Sequence, residues 1–139
     1  MRVSRKAVQP FVLDESICDV PALLRAIKDS MLNAIVLKIS NVGGISKART
    51  IIKICIATGI RMRIEDTTGS EFVKAAVAHL AASVPPASLL CSYEHCFEEI
   101  CTADGAPQVK NGRISLSMRP GLGVTPKYEV LKEPVAVYE

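Results

Sequence analysis

The chain has 139 residues, 49% of them hydrophobic, and a formal net charge of +3. That length makes one domain or part of one, with enough apolar residues for a core. No run approaches about 18 uninterrupted apolar residues, so no membrane span is expected. Lys and Arg are scattered, only six aromatic residues occur and Trp is absent, which argues against a nucleic-acid surface. The N-terminus, Met1-Arg2-Val3-Ser4-Arg5-Lys6, is basic but lacks the apolar core of a secretion signal. Five cysteines in such a chain read as reduced thiols of a cytoplasmic protein.

The elements follow in order. Phe11 to Leu13 reads as a short strand ending in Asp14-Glu15. Asp19 suits an N-cap, Pro21 falls in a first helical turn, and Leu23, Leu24 and Ile27 make an apolar stripe, so a helix is expected to Asp29. Ala34 to Ile39 is an apolar run interrupted by Lys38, the pattern of a buried parallel strand. After Gly43-Gly44, the spacing of Ala48, Ile51, Ile52, Cys55 and Ile56 predicts a helix over 46–58, with Gly59 as its stop. A third strand over 60–64 runs into Glu65-Asp66. A third helix over 71–83 carries Phe72, Ala75, Ala76, His79 and Leu80 on one face. Residues 87–91 read as a fourth strand. These βα units repeat at about 25-residue spacing, as half of an eight-stranded barrel or a small open sheet would. Polar residues gather at the strand ends, where α/β folds build their sites.

The last third differs. Asn111-Gly112 signals a type I′ hairpin within 107–116. Pro120-Gly121-Leu122-Gly123-Val124-Thr125-Pro126 reads as a strap, and Lys127 to Glu139 as a surface tail. The expected division is a set of βα units over 9–104 and a hairpin, strap and tail over 105–139.

In order, Asp14-Glu15-Ser16, Lys38 with Gly43-Gly44 behind it, and Pro120-Gly121-Leu122-Gly123 resemble the C-terminal half of the mandelate racemase and muconate-lactonizing branch of the enolase superfamily. Ile64-Glu65-Asp66-Thr67, the segment Ala76-Val77-Ala78-His79-Leu80-Ala81, Gly105-Ala106-Pro107 and Asn111-Gly112-Arg113 resemble its cis-3-hydroxy-L-proline dehydratases more finely. The resemblance implies the last four βα units of a TIM-type (β/α) barrel. It implies removal of the proton α to a carboxylate, with a divalent cation, Mg²⁺, stabilising the enediolate. Asp14 would be one metal ligand. Lys38 would be the base, its pKa lowered by the metal and by desolvation. Asp66, Thr67 and Glu94 would touch a small amino or carboxylic acid substrate.

The chain departs from the pattern in three places. It begins at the fifth strand, so a second lysine, two further ligands and a capping domain lie outside it. Thr67-Thr68-Gly69-Ser70 stands where a tryptophan and two glycines are expected, and Glu94 where an aspartate is expected. The isolated chain is therefore expected to be inactive, as a truncated product, a degraded gene, a homo-oligomer or a chain missing its N-terminal half. Two other readings stand beside this one. In the first, Gly43-Gly44 serves a small α/β module as an anion-binding turn. In the second, the chain is a non-catalytic oligomeric remnant.

Bland roles are weighed for each residue too. Asp14 could cap a turn, and Lys38 could reach solvent along its stem. His79 is expected to be a satisfied residue of a helical face. Cys91, Cys96 and Cys101, with His95 among them, do not match zinc-knuckle spacing. Cys18 and Cys55 are expected in the core.

Overall fold

A computed structural model describes residues 9–66, 69–92 and 100–137. Its first two thirds alternate strand and helix: β1 (Val12–Leu13), α1 (Val20–Lys28), β2 (Ala34–Lys38), α2 (Ile45–Thr58), β3 (Arg61–Glu65), α3 (Glu71–Ala82) and β4 (Leu89–Ser92). Each lies within about two residues of its sequence-based span. Asp19 caps α1 by accepting the Ala22 amide at 2.6 Å. Gly59 ends α2 in the left-handed conformation.

The sheet order is β1-β2-β3-β4, all parallel. An open doubly wound sheet reverses its strand order, which places helices on both faces. Here each crossover steps the same way, and right-handed crossovers then keep the helices on one face. This is barrel topology: the chain is α/β, half of a (β/α) barrel.

Alternation along the strands fixes what each face does. Ile35, Leu37, Met62 and Ile64 point to the helices and are wholly buried in one cluster with Leu23, Ile51 and Cys55. Ala34, Val36 and Lys38 take the other face, opposite Arg61, Arg63 and Glu65 in register. The β3–β4 register slips at Leu90, which sits between the partners of Met62 and Arg63 and is exposed.

Three apolar stripes differ from the periodicity reading. Leu24 on α1 is half exposed, while Ala22 and Ala26 are buried beside Leu23. On α2, Ile56 is partly exposed although Ala48, Ile51, Ile52 and Cys55 are buried. The core face of α3 is formed by Ala75, Ala78 and Ala81 with Val77 and Leu80, whereas Phe72, Ala76 and His79 are only half-buried. Alanine scores weakly in hydropathy, so a face built of alanines is hard to see by periodicity. Cys55 is buried as expected, but Cys18 is exposed.

The remaining elements are small. β5 (Ala103–Asp104) pairs antiparallel with β8 (Thr125–Pro126). β6 (Val109–Lys110) and β7 (Arg113–Ile114) form the hairpin, with Asn111 and Gly112 both at positive φ as a type I′ turn demands. A single turn, α4 (Tyr128–Leu131), follows. The strap reaches back to α3, where His79 Nε2 lies 3.3 Å from the Leu122 carbonyl.

Candidate active site at the strand ends

The ends of β1, β2 and β3 bring four charged side chains together. Lys38 closes β2 on the face away from the helices. Its side chain is only 9% exposed, because strands lie on both sides of it. A buried ammonium needs partners, and it has them. Lys38 Nζ donates to Glu15 Oε1 at 2.6 Å. It lies 2.9 Å from Asp14 Oδ1, which is buried and is paired by charge rather than by an aligned hydrogen bond. Glu65 Oε1 is 4.0 Å away on its other side, and Glu65 Oε2 is held by Arg63 Nη2 at 2.5 Å.

These side chains by themselves shift Lys38 in the direction opposite to the lowering expected beside a metal. The hydrogen bond that Lys38 donates to Glu15, together with the Asp14 carboxylate, pushes the Lys38 pKa up, outweighing the burial that would lower it. Lys38 is firmly protonated in this arrangement. Its ammonium also holds the Glu15 carboxyl below the usual carboxylate range.

The loops behind these residues are tied to one another. Ser40 donates its amide to Asp66 at 3.1 Å and its hydroxyl to the same carboxylate. Asn41 Nδ2 reaches the Glu15 and Ile17 carbonyls, each at 3.4 Å. Asp66, expected to touch substrate, therefore anchors the turn that follows Lys38. Thr67 and Glu94 lie outside the described residues. Glu65 was missed as a site residue, although alternation from Met62 and Ile64 puts it on the Lys38 face. Glu15 was missed because a strand would turn it away from Asp14. The chain instead turns there, with the Ile17 amide bonded to the Asp14 carbonyl.

The glycine pair has a backbone role. Gly43 and Gly44 have φ of +81° and +117°, a region that disfavours side chains. Their amides donate to the Ser40 and Ile39 carbonyls. Those two donors are thus used within the turn and do not make an anion site. A Cβ on Gly44 would meet nothing within 4 Å, so close helix–strand packing is not what requires it.

Mg²⁺ wants several oxygen ligands in octahedral array. Asp14 offers one buried oxygen, but no group of three His, Cys, Asp or Glu able to hold a metal occurs among the described residues. The donor set here does not complete a magnesium site. No described helix is long and apolar enough to cross a membrane.

The family model for the enolase C-terminal domain-like family matches residues 1–130. The chain belongs to that family. It is 45% identical over 137 residues to a cis-3-hydroxy-L-proline dehydratase from Roseibium aggregatum, covering 98% of this chain and 37% of that protein. A solved mandelate racemase/muconate lactonizing enzyme from Roseovarius nubinhibens superposes with a TM-score of 0.90 at 41% identity, over 95% of this chain and 36% of the other. An enolase-superfamily member from the same organism, solved in complex with magnesium, superposes at 0.93 with 33% identity, over 99% and 38%. The chain thus spans little more than a third of the length of these relatives, and magnesium binding is documented in the family.

Proposed function

We propose that this chain is the base-carrying half of an enolase-superfamily active site that removes the α-proton of a carboxylate substrate. The reaction would be dehydration, or racemisation or epimerisation, of a proline- or hydroxyproline-like amino acid. The observation that carries the reading is Lys38, buried at a strand end on the inner face and flanked by Asp14 and Glu65. The similarity to a cis-3-hydroxy-L-proline dehydratase supports the substrate class.

In this reading Lys38 Nζ accepts the α-proton, which requires a neutral amine. The Asp14 and Glu15 contacts that favour its charged form must loosen first. Asp14 is the residue that would offer an oxygen to a divalent cation, and that cation would supply positive charge beside the developing enediolate. Ser40 and Asn41 hold the turn behind the base. Asp14 is a single candidate carboxylate ligand among the described residues, too few for magnesium, so we propose that the 139-residue chain alone does not turn substrate over.

A chimera tests this reading. In it, the chain replaces the matching third of the Roseibium dehydratase, and dehydration of cis-3-hydroxy-L-proline is followed by absorbance. The chimera should be active. Lys38→Met should lower its rate by about 10²–10⁴-fold, the range for a lost general base. An active chimera indifferent to Lys38→Met would refute the assignment.

A further inference from the structure

The inner face holds a charged group that the reading above leaves without a task. Glu65 sits opposite Lys38 in the β2–β3 register, so the two side chains rise from the same face. Its side chain is only 14% exposed. Arg63 fixes one of its oxygens, Oε2, at 2.5 Å. The other, Oε1, points toward Lys38 but stops 4.0 Å short, too far for a hydrogen bond. The result is a clamped carboxylate with one oxygen held beside the amine.

That spacing has a chemical meaning. A base nitrogen stands about 3–3.5 Å from the carbon it deprotonates. In an α-amino acid, that same carbon carries the ammonium. An ammonium donates to a carboxylate at about 2.7–2.9 Å. A carboxylate oxygen about 4 Å from the base can therefore take the ammonium hydrogen while the base faces the α-proton. A substrate lacking the amine would leave Oε1 unanswered in a poorly solvated place, which is how polar sites reject analogues.

We infer that Glu65 is the specificity-determining residue that reads the α-ammonium of the substrate, with Arg63 as the positioning residue that aims it. The inference rests on the proposed function, because it takes Lys38 as the base. The family resemblance implies a substrate contact at the neighbouring Asp66, whose carboxylate is engaged by Ser40.

The test uses the whole 139-residue chain and two ligands of the same shape. L-proline carries the amine, and cyclopentanecarboxylate has a methylene in its place. Binding is followed by NMR shifts of the backbone amides of residues 38 and 65. L-proline should bind at least about tenfold more tightly. Glu65→Gln, checked for folding by circular dichroism, should bring the two within about twofold. Equal binding to the unsubstituted chain overturns the role of Glu65 and leaves the Lys38 site standing. Shifts from neither ligand overturn both. Because the unsubstituted chain decides the main point, a Glu65→Gln variant that fails to fold does not shelter the inference.

Discussion

The βα units and the C-terminal third are held by different forces. From Leu13 to Leu89, strands and helices share one apolar cluster, and the side chains at its centre are fully buried. From residue 100 onward, Ala103 is the only apolar side chain classed as buried among the described residues, and Val109, Met118, Val135 and Val137 are well exposed. What fastens this part is polar. The buried Glu71 carboxylate takes the Thr102 amide at 2.9 Å and its hydroxyl at 2.5 Å. Lys127 pairs with Asp104 at 3.2 Å, and His79 meets the Leu122 carbonyl. Apolar burial is graded and resists pH, whereas a few directional bonds can be undone one by one.

Five perturbations would break or sharpen that contrast. Leu37→Ala empties the centre of the cluster and should destabilise the fold by about 2–5 kcal/mol in urea titration. A loss under about 1 kcal/mol would mean the sheet is not what holds the chain together. Glu71→Ala should cost about 1–3 kcal/mol, since it leaves the Thr102 donors without their acceptor. The loss should be local, seen as faster amide exchange at Thr102 while the amides of β2 keep their protection.

The same contact predicts acid sensitivity. Burial alone would push the Glu71 carboxyl up, but the Thr102 hydroxyl, with the Glu71 and Thr102 backbone amides, holds it below its ordinary value of 4.5. A carboxyl lowered by folding stabilises fully above that ordinary value and stops doing so as pH falls through the folded one. The protection factor of the Thr102 amide, taken against its intrinsic exchange rate at each pH, should therefore drop below about pH 4.5, before that of β2 does. Lys38 has the opposite sign: raised by its carboxylates, it stabilises fully below its ordinary 10.5 and loses this as pH climbs above it. The thermal midpoint of the unsubstituted chain should fall more steeply above that pH than that of Lys38→Met. The smallest effect belongs to the tail. Deleting residues 133–139 should change stability by no more than about 0.5 kcal/mol.

Cysteine chemistry gives a separate reading of the packing. Burial pushes the Cys55 thiol up to about 12. It should stay unreactive toward a disulfide reagent in the native state, while the exposed Cys18, Cys91 and Cys101 are modified. Labelling of Cys55 without denaturant would show that α2 does not sit as described.

Much of this was legible in the residues. Apolar runs bounded by polar turns located the strands of the sheet, and 3.6-residue periodicity located its helices, because those patterns are what the core selects. The Asp14–Lys38 pair was legible through family spacing. Periodicity does not encode strand order, so the barrel was legible only through the family motifs, and the strand order bears it out. Two things were not legible. The protonation of Lys38 depended on Glu15, a neighbour delivered by a turn rather than a strand. The role of Asp66 depended on Ser40, 26 residues earlier in the chain.

The strict alternation on β2 and β3 has an evolutionary consequence. Residues 35, 37, 62 and 64 carry the packing, while their neighbours at 36, 38, 63 and 65 face the other way. Exchanging Val36, Arg63 or Glu65 would change that second face without reopening the hydrophobic interior. A lineage built on this plan can vary the face at single positions while inheriting the same scaffold.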